Sequence, residues 1–141
     1  MKRGQIWIVT GTGYASKPRP AVVVQADHFE TDSITVCLLT SFELDAPLLR
    51  LQVPSDKQTG IDKPSYAMVD KVTTIRRSKA ISHVGELPQA LLNEMDAMIA
   101  NFLGLWPTPL WISQVTTHPH ARRERSDYMT FRPIESATIT Q

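Results

Sequence analysis

Up to Leu87 the chain alternates short apolar runs with turn signals, at a spacing too tight for long helices. Residues 5–10 (QIWIVT) alternate polar and apolar, the period of a half-buried strand, and Gly11-Thr12-Gly13 breaks the pattern. Residues 21–25 are nearly all apolar and read as a central strand; residues 33–39 form another such run. In residues 48–53 the alternation puts Leu49, Leu51 and Val53 on one face. After the turn signals Gly60 and Pro64, residues 65–69 and 71–75 read as two more strands, followed by a short helical turn at residues 78–80. This spacing predicts a mainly β fold, a small and strongly curved antiparallel sheet or barrel. One long helix follows. Pro88 suits its first turn; Leu91, Met95, Met98, Ile99 and Phe102 form an apolar stripe with Leu92 on its flank, and Gly104 supplies a C-cap.

Beyond Leu105 the pattern stops. Residues 106–111 are proline-broken, and residues 115–141 mix Thr, Ser, Pro and charges without periodicity. The chain therefore divides into a domain at 1–105 and a loosely ordered C-terminal extension at 106–141. Within the extension, Arg122-Arg123-Glu124-Arg125 reads as a solvated stretch.

Composition narrows the function classes. At 141 residues with 42% apolar content, the chain can bury a real core. A formal net charge of +1 excludes a global electrostatic nucleic-acid binder, so any such site must be a local patch. Cys37 is the only cysteine and sits at an apolar strand position, which predicts a buried structural thiol. His28, His83, His118 and His120 show no metal-ligand spacing, so neither metal nor cofactor is expected. No apolar run follows the basic N-terminus and no stretch reaches membrane-span length, which predicts a soluble, cytoplasmic protein.

The chemistry gathers at two strand ends. Lys17-Pro18-Arg19-Pro20 stands immediately ahead of the run at 21–25, and the run at 33–39 leads into Thr40-Ser41. Singly, such an arginine is ordinarily a surface charge and such a Thr-Ser pair a turn. Together, a permanent cation and a hydroxyl pair can hold a phosphate, which points to work on a phosphodiester. RNA can be cut without a metal: the 2′-hydroxyl attacks the neighbouring phosphorus and expels the 5′-oxygen. A guanidinium forks onto two phosphate oxygens and stays charged at cellular pH. Thr40 Oγ1 and nearby backbone N–H groups can donate to the same oxygens; losing one such donor commonly costs about 10²–10³ in rate. Arg19, which alone carries a full charge, is expected to matter more. His28 and Glu43 are candidates for a general base by position only.

In these blocks the chain resembles the MazF/PemK (Kid) toxins of bacterial type II toxin–antitoxin pairs. Lys2-Arg3-Gly4-Gln5-Ile6-Trp7 is similar to that family's opening, and Arg19-Pro20-Ala21-Val22-Val23-Val24 to its second block. Leu39-Thr40-Ser41 resembles the end of its third strand. Gly60-Ile61 with Ser65-Tyr66-Ala67-Met68-Val69-Asp70-Lys71-Val72-Thr73-Thr74-Ile75 resembles its longest block, and Phe102-Leu103-Gly104-Leu105 its helix ending. The resemblance covers about residues 2–105. It implies an SH3-like barrel with a C-terminal helix, a homodimer, and a metal-independent, ribosome-independent endoribonuclease that cleaves single-stranded mRNA to a 2′,3′-cyclic phosphate and a 5′-OH. It places the catalytic roles on Arg19 and Thr40 and sets Ser41 beside the phosphate. It also makes residues 11–18 the loop that closes over RNA, with Tyr14 stacking on a base and Lys17 meeting phosphate. A small antitoxin with an acidic, partly disordered segment is the implied protein partner.

Two departures keep alternatives open. Pro18 stands where some relatives carry a polar or basic residue, and the extension after Leu105 has no counterpart in the family pattern; Arg50, Asp70 and Lys71 read more readily as salt-bridging residues than as RNA contacts. The competing readings are a DNA gyrase poison of the similar CcdB fold and a catalytically inactive SH3-like binding module. The Arg19 and Thr40 pair favours the nuclease, because a gyrase binder needs no phosphate-holding pair.

Overall fold

The computed structural model describes residues 1–11, 13 and 16–105; Tyr14 and the extension at 106–141, with its arginine run, lie outside the described residues. The strands are β1 (Gln5–Val9), β2 (Arg19–Val23), β3 (Ser33–Thr40), β4 (Arg50–Val53), β5 (Ser65–Arg76) and β6 (Ala80–Glu86), followed by helix α1 (Gln89–Phe102). They form one six-stranded sheet in the order β4-β5-β3-β2-β1-β6. Every pairing is antiparallel.

The strands expected at 65–69 and 71–75 are one continuous strand of 12 residues. No Gly or Pro separates Val69 from Lys71, so nothing there ends the strand. β5 instead bends, and its register against β3 slips between Cys37 and Leu39. The turn expected at 78–80 is a 3-10 turn at Arg77–Lys79. β6 carries no readable alternation, because it is an edge strand with Ile81 exposed, and the periodicity missed it.

Alternate residues feed two cores, one on each face of the sheet. Ala21, Val23, Val36 and Leu38 join Val9, Ile34, Met68 and Ile75. Val22, Cys37 and Leu39 face the other way and pack with Leu51, Val53, Ala67, Val69 and, from α1, Leu92, Met95 and Met98. The helix stripe therefore differs from the expected one: Leu92 is at its centre and Phe102 is 47% exposed. Pro88 is the N-cap. Gly104, at φ +67°, ends the helix in a Schellman motif: the Gly104 N–H donates to Asn101 O (3.1 Å) and the Leu105 N–H to Ala100 O (2.9 Å). Arg3 ties the N-terminus to α1 through an ion pair with Asp96. No helix among the described residues is long and apolar enough to cross a membrane.

The sheet curls, but β4 and β6 do not pair. The gap is bridged by the β4–β5 connection at residues 54–64. The Glu86 N–H donates to Gln58 O (2.9 Å). Backbone meets backbone here so closely that a Cβ at Gly60 (φ +67°) would lie 1.8 Å from Val84 O, and one at Gly85 2.3 Å from Thr59 O. Thr59 is fully buried. Its hydroxyl donates to Pro54 O (2.7 Å), and its N–H donates to Asp56 Oδ1 (2.8 Å). The barrel is thus completed by a loop contact rather than by a strand ladder.

Cys37 is fully buried on β3. Burial, aided by the nearby Asp70 charge, pushes its thiol up to about 12. It is the structural thiol that its strand position predicts. A thiol reagent should leave native protein unlabelled and label Cys37 at the rate of unfolding; fast labelling of the native state would contradict this packing.

Arg50, Asp70 and Lys71 form a linked ion pair, with the Lys71 ammonium 3.1 Å from Asp70 Oδ2 and the Arg50 side chain only 8% exposed. Burial raises the Asp70 carboxyl, but hydrogen bonds and charge from Lys71 and Arg50 outweigh it and hold the group below its ordinary value. A carboxyl lowered on folding contributes stability above its unfolded value, about 3.9, and loses it as pH falls through the lower folded value. Asp70→Asn leaves Arg50 buried without its counter-ion and should cost about 3 kcal/mol at neutral pH. Urea unfolding should show this gap narrowing in acid; an equal gap at both pH values would refute the assignment.

Candidate functional site

The β2–β3 register decides whether the two strand-end groups meet. The ladder runs Val23↔Val36, Val22↔Cys37 and Ala21↔Leu38. Continued by the same count, it aligns Arg19 with Thr40 on one face of the sheet. Pro20 has no N–H to offer, and the recorded β2–β3 pairing stops at Ala21. The strand ends beyond it open into a cleft of about 440 Å³ lined by Lys17, Arg19, Thr40 and Ser41. Four of the five residues that the sequence nominates therefore share one cavity; Tyr14, the fifth, is outside the described residues.

Arg19 is half-buried and pairs across β1 with Val9, which is fully buried. Its Nε is buried and has no hydrogen-bond partner among the described residues. A buried, unpartnered donor on a charged group is costly, of the order of 1–3 kcal/mol or more. Arg19 is a half-buried lining residue of the cleft, so its guanidinium is the permanent cation nearest a phosphate held there. Thr40 Oγ1 accepts the Phe42 N–H at 3.2 Å. This is the turn role expected of a Thr-Ser pair, and it leaves the hydroxyl proton free to donate into the cleft. Ser41 and Lys17 are exposed at its mouth.

The β4–β5 connection forms the opposite wall with Gly60, Ile61, Asp62, Lys63 and Ser65. Asp62 and Lys63 were not legible as site residues. They lie in a loop without periodicity, and only the closure of that loop on β6 brings them across from Arg19. The two general-base candidates do not reach this cleft. His28 is exposed and packs against Phe29 with ring centroids 4.2 Å apart. Glu43 instead lines a separate, larger groove of about 830 Å³ between the β3–β4 connection and α1. That groove presents Glu43, Asp45 and Glu94, and its one arginine, Arg50, is committed to Asp70. Size does not make it the phosphate site, because its acidic lip repels phosphate.

The family described as "PemK-like, MazF-like toxin of type II toxin-antitoxin system" matches residues 2–103. The probable endoribonuclease MazF of Mycolicibacterium smegmatis is 39% identical over 107 residues, 74% of this chain and 98% of that protein. Endoribonuclease MazF4 of Mycobacterium tuberculosis is 29% identical over 106 residues, 74% of this chain and 95% of its own length. Among solved structures, a mycobacterial endoribonuclease in complex with its cognate antitoxin superposes with a TM-score of 0.61 at 25% identity, covering 76% of this chain and 99% of that one. MazF from Deinococcus radiodurans shares the fold, with a TM-score of 0.63 at 20% identity over 74% and 96% of the two chains. The matched region contains both strand ends and the loop opposite them, and the chain belongs to the PemK/MazF family of toxins of type II toxin–antitoxin systems.

Proposed function

We propose that this chain is a toxin that cleaves single-stranded mRNA in the cytoplasm as a metal-independent, ribosome-independent, sequence-selective endoribonuclease. The observation that carries the reading is that Arg19, Thr40, Ser41 and Lys17 line one cleft. Arg19 holds the scissile phosphate and offsets the charge that builds on its oxygens as the 2′-oxygen attacks. Thr40 Oγ1, fixed by the Phe42 N–H, donates to one of those oxygens, and Ser41 stands beside it. Lys17 holds an adjoining phosphate at the mouth, and Tyr14 stacks on a base. The products are a 2′,3′-cyclic phosphate and a 5′-OH. Relatives named endoribonucleases support this reading over a gyrase poison or an inactive module.

The partner set follows from the same surfaces. A cleft with an unsatisfied cation attracts an acidic antitoxin segment for the reason that it attracts RNA, so the antitoxin inhibits by occupying it. The structural relative complexed with its cognate antitoxin supports such a pairing. Leu48 (41% exposed) and Phe102 (47%) border one shallow hollow at the end of α1, with Leu103 and Leu105 also exposed nearby in sequence. We assign this apolar face to a homodimer contact. Phe102→Asp should then shift sedimentation velocity from dimer toward monomer; an unchanged dimer would exclude this face.

Incubation with a long RNA in EDTA tests the activity. Wild type should give discrete cuts. Arg19→Ala should lower the rate by about 10³ or more, and Thr40→Ala by about 10²–10³. Intact RNA with wild type, or full cleavage by Arg19→Ala, would overturn the reading.

A further inference from the structure

We propose that Asp62 is the general base that takes the 2′-hydroxyl proton; this rests on the endoribonuclease reading above and supplies the proton acceptor that reading lacks. Four observations place the role there. Asp62 is the sole carboxylate, among the described residues, that lines the cleft with Arg19 and Thr40. It is exposed and makes no hydrogen bond or ion pair within the described structure, so its oxygens are available to substrate. Asp70, the acidic residue of the long family-like block, is committed to Arg50 and Lys71. His28 and Glu43 lie away from the cleft.

A fifth observation is positional. The peptide group preceding Asp62 and the one after Lys63 are both held by hydrogen bonds. Ser55 Oγ donates to Ile61 O at 2.7 Å, and Ser65 Oγ, on a buried residue, donates to Lys63 O at 2.9 Å. One residue further back, Gly60 is pressed against Val84 O of β6. An exposed carboxylate on an otherwise free loop would sample many positions. This one is presented from a loop whose backbone is fixed against the sheet that carries Arg19, which is what a proton acceptor needs.

The step balances without a co-reactant beyond water. The Asp62 carboxylate removes the 2′-O–H proton as the 2′-oxygen bonds to phosphorus. The P–O5′ bond breaks with its electron pair going to the 5′-oxygen, which takes a proton from solvent water. Asp62 then returns its proton to solvent. Lys17, Arg19 and Lys63, which line the same cleft, are the charged groups that face the carboxylate.

The test compares wild type, Asp62→Asn, Asp62→Glu and Arg19→Ala on one cleavable RNA across pH. A matched oligonucleotide with a 2′-deoxy scissile position reports binding. Because the Asp62 side chain has no partner among the described residues, Asp62→Asn should keep the wild-type Tm. It should bind the uncleavable strand as tightly or more tightly, lower kcat about 10²–10⁴-fold, and lose the rise of log kcat with pH on the acid side. Asp62→Glu should restore part of the rate and the pH-dependent limb. If wild type cleaves while Asp62→Asn shows the same kcat and the same acid limb, Asp62 is not the base and the nuclease reading survives. If Asp62→Asn loses kcat but keeps the limb, its role is structural and the proposal is likewise overturned. If wild type leaves RNA intact, the nuclease reading itself fails.

Discussion

The site depends on a backbone contact at the edge of the cleft. Gly60 and Gly85 let the β4–β5 connection lie directly against β6, where a methyl group on either would meet a carbonyl oxygen at 1.8 or 2.3 Å. That contact completes the barrel without a strand ladder. It also carries residues 61–63 to the far side of the cleft from Arg19 and Thr40. Without it, the strand ends would face solvent with only one wall. The function follows from a steric allowance at two glycines as much as from the arginine.

Charge is arranged on the same plan. The chain is nearly neutral, so no long-range field steers a polyanion to it. Most of the attraction must be local, and the ion pairs show how it is kept local. Arg3 is neutralised by Asp96, and Arg50 shares Asp70 with Lys71. Arg19 has no ion-pair partner among the described residues, and its Nε no hydrogen-bond partner there. Two arginines are committed to holding α1 and β5, while the cleft gathers Lys17, Arg19 and Lys63 around the one carboxylate that lines it, Asp62. The larger groove, with Glu43, Asp45 and Glu94 at its lip, has the opposite character. One small surface thus offers both a phosphate-binding and a phosphate-repelling hollow.

How much of this was legible in the chain follows from what each feature depends on. The strands with one buried face were readable, because period-two alternation is a direct record of burial. Arg19 and Thr40 were readable as a pair through their positions at strand ends, and Cys37 through its apolar neighbours. β6 was not, since an edge strand with most side chains exposed leaves no alternation. The continuity of β5 was missed because a bend was read as a break, and Phe102 was put in the core because a periodic stripe does not say where the helix outruns the sheet. Asp62 and Lys63 could not be seen at all: their place in the cleft is set by a loop closing on a strand more than twenty residues away in sequence.

The central claim is that one phosphate bridges the Arg19 guanidinium and the Thr40 hydroxyl. A crystal structure of the protein with an RNA strand made uncleavable by 2′-deoxy substitution at the scissile position tests it most directly. The account requires the scissile phosphate oxygens within hydrogen-bonding distance of both the Arg19 guanidinium and Thr40 Oγ1. A phosphate bound elsewhere, away from both groups, would contradict it.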